Sequence, residues 1–163
     1  LASFGEVESV RVTRRFFSTV ECRLTKREPV ALLLAGSMRE VDGVGTVLPK
    51  RAGRGDIDLP VITGISERSI RKESGRRSLT RALEVLRLIR AEGFAPARQV
   101  SEIHVDGDDI DLVWTGSGTL IRLGRDEHAI RLRKLKAVST VLLDREQRPA
   151  VVDLRFDRQV VIR

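Results

Sequence analysis

Three β-prone runs in the second half of the chain, residues 100–105, 110–114 and 119–123, are separated only by Asp106-Gly107-Asp108-Asp109 and Thr115-Gly116-Ser117-Gly118. Both separators are tight-turn sequences: glycine supplies positive φ, and Asp and Ser bond back to their own backbone. Consecutive strands joined this way favour an antiparallel sheet, and two amphipathic segments flank the trio. In the first, Leu79, Ala82, Leu83, Leu86 and Ile89 recur at helical spacing, with Ser78 as the expected N-cap and Gly93 where a helix would end. The second covers residues 126–143 through Ile130, Leu135, Val138, Val141 and Leu142. The reading is α+β, an antiparallel sheet with helices packed on one face.

Upstream, residues 8–14 and 19–26 alternate strictly, which marks half-buried strands, and Phe16-Phe17-Ser18 links them as a hairpin. A third apolar run, 30–34, follows Glu28-Pro29 and closes at Ala35-Gly36. Residues 38–48 carry turn signals at Asp42-Gly43 and Gly45. Residues 49–58 read as an exposed loop, 59–64 as β-like, and the polar stretch 66–77 as partly loop. Residues 150–156 and 159–162 form a last hairpin around Asp157-Arg158. The change at Ala35-Gly36 divides the chain into a small unit, 1–35, and a larger one, 36–163. Leu1-Ala2-Ser3-Phe4-Gly5 reads as the tail of a helix, so a preceding segment is expected.

Composition narrows the function. The 163 residues carry 30 Lys and Arg against 23 Asp and Glu, a net charge of +7 that directs attention to anionic partners. The arginines are scattered among the acids rather than gathered, so an Arg-rich solvated surface is favoured over nucleic-acid binding. Aromatic residues make up 4%, which leaves little for base-stacking platforms. The single cysteine, Cys22, excludes an intrachain disulfide and a multi-cysteine zinc site; its place in an alternating strand makes it an expected buried small hydrophobe. No apolar run reaches the roughly 18–20 residues that span a bilayer.

No catalytic, cofactor-binding or metal site emerges. His104 lies in a strand pattern and is expected to be exposed. Asp126-Glu127-His128 cannot converge on one ion in a regular helix, because successive side chains point apart, and acids at a helix start explain Asp126 and Glu127. Asp106, Asp108, Asp109 and Asp111 lack the glycine position and distal glutamate of a helix-loop-helix calcium loop. Gly116-Ser117-Gly118 has no following Lys-Ser/Thr and no helix start, so it is not a phosphate loop. Arg131, Arg133, Lys134 and Lys136 spread around a helix and read as a solvated face.

Several segments in order resemble the extracytoplasmic part of the FtsQ/DivIB family of bacterial cell-division proteins. They are Val7-Glu8-Ser9-Val10-Arg11-Val12-Thr13-Arg14-Arg15-Phe16, Thr19-Val20-Glu21-Cys22-Arg23-Leu24, and Arg27-Glu28-Pro29-Val30-Ala31. Val41-Asp42-Gly43-Val44-Gly45-Thr46-Val47, Leu59-Pro60-Val61-Ile62-Thr63-Gly64, Leu123-Gly124-Arg125 and Val152-Asp153-Leu154-Arg155-Phe156 follow. Phe17 departs from the proline common in the family's first hairpin.

The resemblance implies that residues 1–35 are the C-terminal part of a POTRA domain and 36–163 an FtsQ-type β-domain. It implies a non-catalytic scaffold without cofactors, anchored in the bacterial inner membrane through a segment absent from this chain. That scaffold would work outside the cytoplasmic membrane at the division site, bind FtsB- and FtsL-type proteins and link early to late division proteins. It places the partner strand on the last strand of the β-domain. Residues 159–163 are short and close the chain, as an edge strand would. The resemblance also puts Arg155 and Phe156 at the family's Arg-aromatic contact position, so the partner-binding set it implies is Arg155, Phe156, Gln159, Val160, Val161 and Ile162, with Phe156 equally readable as a core residue. Another POTRA-bearing envelope docking module and a basic nucleic-acid-binding domain are the competing readings.

Overall fold

A computed structural model describes residues 5–16, 18–49, 58–92, 100–143 and 149–163, without the side chains of 140–143. The loop expected at 49–58 and the helix end expected at Gly93 lie almost wholly outside the described residues.

Strands β1 (Val7–Arg15) and β2 (Thr19–Lys26) pair antiparallel as the expected hairpin and form a sheet of their own. Its apolar face is uncovered: Val12 is 61% exposed, Val20 64% and Leu24 60%. Cys22, opposite Val12, is exposed with them, so the expected burial of this thiol does not hold. Period-two patterning marks the face able to be buried; what covers it is a tertiary matter.

The remaining strands make one eight-stranded sheet: β3 (Pro29–Ala35), β4 (Ser37–Asp42), β5 (Val61–Thr63), β6 (Val100–Asp106), β7 (Asp109–Trp114), β8 (Leu120–Gly124), β9 (Val151–Asp153) and β10 (Val161–Ile162). Their spatial order is β10-β9-β8-β7-β6-β5-β3-β4. β3 thus lies within the large sheet, and the break between sheets falls at Arg27-Glu28 rather than at Ala35-Gly36. The Ala35-Gly36 signal is instead the tight β3–β4 turn, with Gly36 at φ +77°.

The three runs with tight turns form the antiparallel ladder β6-β7-β8. Three other pairings are parallel, β3–β5, β5–β6 and β8–β9, a departure from an all-antiparallel sheet. The last two follow from connectivity, since a helix between adjacent strands returns the chain in the same direction. Both crossovers step the same way across the sheet between strands that run the same way, and right-handed crossovers of that kind put their helices on one face. The helices α2 (Glu73–Ala91) and α3 (His128–Leu143) indeed pack on each other, α2 over β6 and α3 over β8.

Residues 66–77, expected to be partly loop, are mostly helical. Ser66 caps the single turn α1 (Glu67–Ile70), its hydroxyl accepting from the Ser69 amide, and α2 begins at Glu73 instead of after Ser78. Gly64, at φ +82°, starts this crossover where any Cβ would lie 1.9 Å from the Val105 carbonyl oxygen. The apolar stripe of α2 is buried as expected and gains Val85. On α3 the sheet-facing residues are Leu132 and Leu135, whereas Ile130 is 43% exposed. These residues meet Leu33, Ile62, Ile103, Ile110, Leu112, Ile121, Leu123 and Val152 in one core.

Candidate partner-binding edge

An eight-stranded open sheet has two edges, and the chain treats them differently. On the β4 side, Asp42 folds residues 42–48 back along the strand. Its carboxylate accepts from the amides of Val44 (3.1 Å) and Thr46 (2.7 Å) and from Arg27 Nη1 (2.6 Å). Burial alone would raise the Asp42 pKa, but these donors outweigh it and hold the carboxyl below its ordinary value. The returning segment bonds Leu48 N–H to Glu40 C=O and Thr46 C=O to Asp42 N–H, so the Glu40–Asp42 half of this edge is covered.

At the other end, β10 is the last strand in the order and pairs only with β9 among the described residues. Its register decides what it offers. Arg163 and Val151 exchange both backbone bonds, N–H to C=O at 3.0 and 3.1 Å. In an antiparallel pair, bonded and non-bonded positions alternate. The next bonded pair is therefore Val161–Asp153, while Ile162, opposite Val152, turns its N–H and C=O away from β9.

The side chains follow the same alternation. Val161 shares the helix-free face with Asp153. Ile162 lies on the helix side and is 44% exposed, and Val160 packs against the core. Phe156 is 44% exposed, which removes the core reading for it, and Gln159 is exposed. The structure thus brings Arg155, Phe156 and residues 159–162 together around one turn. That turn is fastened by Lys134 of α3, whose amine donates to the carbonyls of Phe156 and Asp157.

Arg155 is already paired. Its Nε and Nη2 reach the Asp153 carboxylate at 2.9 and 2.6 Å, and its amide donates to the same group at 3.1 Å. The Arg155 hydrogen bonds are the largest influence on Asp153 and, against burial, lower its pKa; reciprocally, Asp153 raises that of Arg155. Behind them, Gly124 sits at φ +74°, where a Cβ would come within 2.7 Å of Arg131 Nη1 and 3.0 Å of Arg155 Cγ. Arg131 is buried, donating to the Leu123 carbonyl and to Asp126 at 2.7 Å, so its expected place on a solvated face is wrong. Lys136 donates to the Glu92 carbonyl at 2.7 Å, and the sequence cluster is largely committed to holding chain turns and helix ends.

Across the helix-free face, Thr63, His104, Asp111, Arg122 and Asp153 stand opposite one another on successive strands. Burial raises the Asp111 pKa despite the opposing charges of Arg122, Arg155 and His104. The Thr63 hydroxyl lies 2.7 Å from His104 Nδ1 and 2.5 Å from Glu102 Oε1. A nucleophile–base pair needs its carboxylate on the far ring nitrogen, to orient the imidazole. Here Glu102 lies on the Nδ1 side, 3.8 Å away, so the three groups form a sheet-surface network and not a triad. The His104 side chain keeps 43% of its surface open to solvent within it, near the exposed position expected.

The missed participants, Asp153, Gly124 and Lys134, had one legible signal: Asp153 and Arg155 are two apart, as neighbours on one strand face are.

Residues 31–155 match the family model described as cell division protein FtsQ/DivIB, C-terminal. The chain is 36% identical over 151 residues to "Cell division protein FtsQ" of Anaeromyxobacter sp. (strain K), covering 91% of this chain and 51% of that protein. It is 31% identical over 151 residues to "Cell division protein FtsQ" of Neisseria meningitidis serogroup B (strain ATCC BAA-335 / MC58), covering 92% and 58%. The chain spans about half the length of such relatives, 51% and 58% in these two. With the family model spanning most of the large sheet, this chain belongs to the FtsQ/DivIB family of cell-division proteins.

Proposed function

We propose that the chain is a non-catalytic scaffold whose β10 edge receives a strand from an FtsB- or FtsL-type division protein outside the cytoplasmic membrane. The observation that carries this is the contrast between edges: residues 46–48 cover β4 along Glu40–Asp42, while β10 turns the Ile162 amide and carbonyl outward beside the exposed Ile162 and Phe156 side chains. Backbone pairing along such an edge supplies affinity, and alternate side chains supply register. Phe156 is the anchor, and Arg155 is the charge that a partner carboxylate can share with Asp153.

The uncovered apolar face of β1–β2 fits the last hairpin of a POTRA unit awaiting the rest of its core, since a lone two-stranded hairpin is marginal in water. Family membership weighs against a docking module of another POTRA-bearing family. Nucleic-acid binding is disfavoured because Arg131, Lys134 and Lys136 are engaged with backbone carbonyls.

The test is binding of a soluble FtsB–FtsL-type complex to the wild type, Ile162→Pro, Arg155→Glu and Arg133→Glu, with folding checked by circular dichroism. Ile162 is the discriminating position, because its N–H faces outward, whereas a proline at Val161 would remove a bond to β9 itself. Ile162→Pro and Arg155→Glu should both weaken binding by more than Arg133→Glu, an exposed charge worth about 0–1 kcal/mol. Unchanged affinity in both folded variants would refute the edge model.

A further inference from the structure

Away from β10, a cleft of about 710 Å³ opens between the first half of α2, the β6–β7 turn and the β8–α3 turn, lined by Ser74, Arg77, Ser78, Arg81, Arg125 and the Gly107-Asp108 turn, among others. It lies beyond the carboxyl ends of β6 and β8. The N-termini of α2 and α3 both open towards this end, adding positive potential to that of the three arginines.

The lining contains acids as well, and their partners separate committed charge from available charge. Asp108 takes Arg81, at 2.9 Å with a second bond from Arg81 to its carbonyl, and Asp126 takes the buried Arg131 at 2.7 Å. Arg77 and Arg125 are different. Both are exposed, and their contacts are long, 4.0 Å to Glu73 and 3.6 Å to Asp109. Elsewhere in this chain Arg27–Asp42 and Arg155–Asp153 close to 2.6 Å. Two loosely held guanidinium forks therefore face one cleft, with Ser74 and Ser78 one helical turn apart as hydroxyl donors on its α2 wall.

The geometry points to a binding site for an acidic peptide segment, two of whose carboxylates pair with Arg77 and Arg125. A nucleic-acid strand fits less well: Asp108 and Asp126 interrupt any continuous phosphate track, and among the described residues no aromatic side chain lines the cleft. Discrete carboxylates can sit between those acids.

Fluorescein-labelled hexaglutamate, followed by anisotropy at low ionic strength, tests this. The Arg77→Ala/Arg125→Ala protein should bind about tenfold more weakly than wild type, about 1.4 kcal/mol. The charge-matched Arg11→Ala/Arg133→Ala protein, altered at exposed sites outside the cleft, should stay within about twofold. Ile162→Pro should leave peptide affinity unchanged, which separates this site from the β10 edge. No measurable binding by wild type, or an equal loss in both double variants, would overturn the assignment. So would labelled hexathymidylate binding through Arg77 and Arg125 where the peptide does not.

Discussion

The Asp153 carboxylate accepts Arg155 Nη2 at 2.6 Å and Arg155 Nε at 2.9 Å, and this bidentate pair lies beside Gly124 at the foot of the β9–β10 turn. Asp153 is buried while Arg155 is partly exposed, so the pair fixes the turn and still presents a guanidinium face to solvent.

The pair gives a pH signature. The folded pKa of Asp153 is lowered, so its contribution is fully present above the unfolded value, about 3.9, and is lost as pH falls through the folded one. Asp153→Asn should lower the melting temperature at pH 7, and the gap to wild type should narrow in acid. Thermal denaturation at both ends of this range checks it; an equal gap throughout would refute the ionic role.

Asp111 runs in the opposite sense. Burial raises its folded pKa, so the ionised form costs stability, and the cost appears as pH rises from the unfolded pKa through the folded one. Asp111→Asn should therefore melt higher than wild type at neutral pH and converge with it below the unfolded pKa, about 3.9. A lower melting temperature at pH 7 would mean that pairing with Arg122 outweighs desolvation.

Gly124→Ala is expected to destabilise by roughly 1–3 kcal/mol, from left-handed backbone strain and displacement of Arg131 from the Leu123 carbonyl. Chemical denaturation measures it directly. Gly116→Ala shares positive φ but among the described residues meets no atom within 4 Å, so the difference between the two variants isolates the arginine contact.

Periodicity and turn chemistry were enough, in the sequence alone, for the elements: the β1–β2 hairpin, the ladder β6-β7-β8, the apolar stripe of α2 and the final hairpin all follow from local preferences. The ordered motifs also carried the family. Local pattern does not encode what lies opposite a face, and there the tertiary structure decided. Cys22 and Val12 alternate correctly yet remain uncovered. Ser78 resembles a cap, but α2 extends back to Glu73 beyond it. Arg131, one of four cations in a run, is buried because Gly124 lacks a Cβ and leaves it room beside the Leu123 carbonyl. The Arg155 and Phe156 pair was legible as a motif, whereas the outward turn of the Ile162 amide was not. Which amide faces outward depends on register against β9, and register is set only when the sheet assembles around its core.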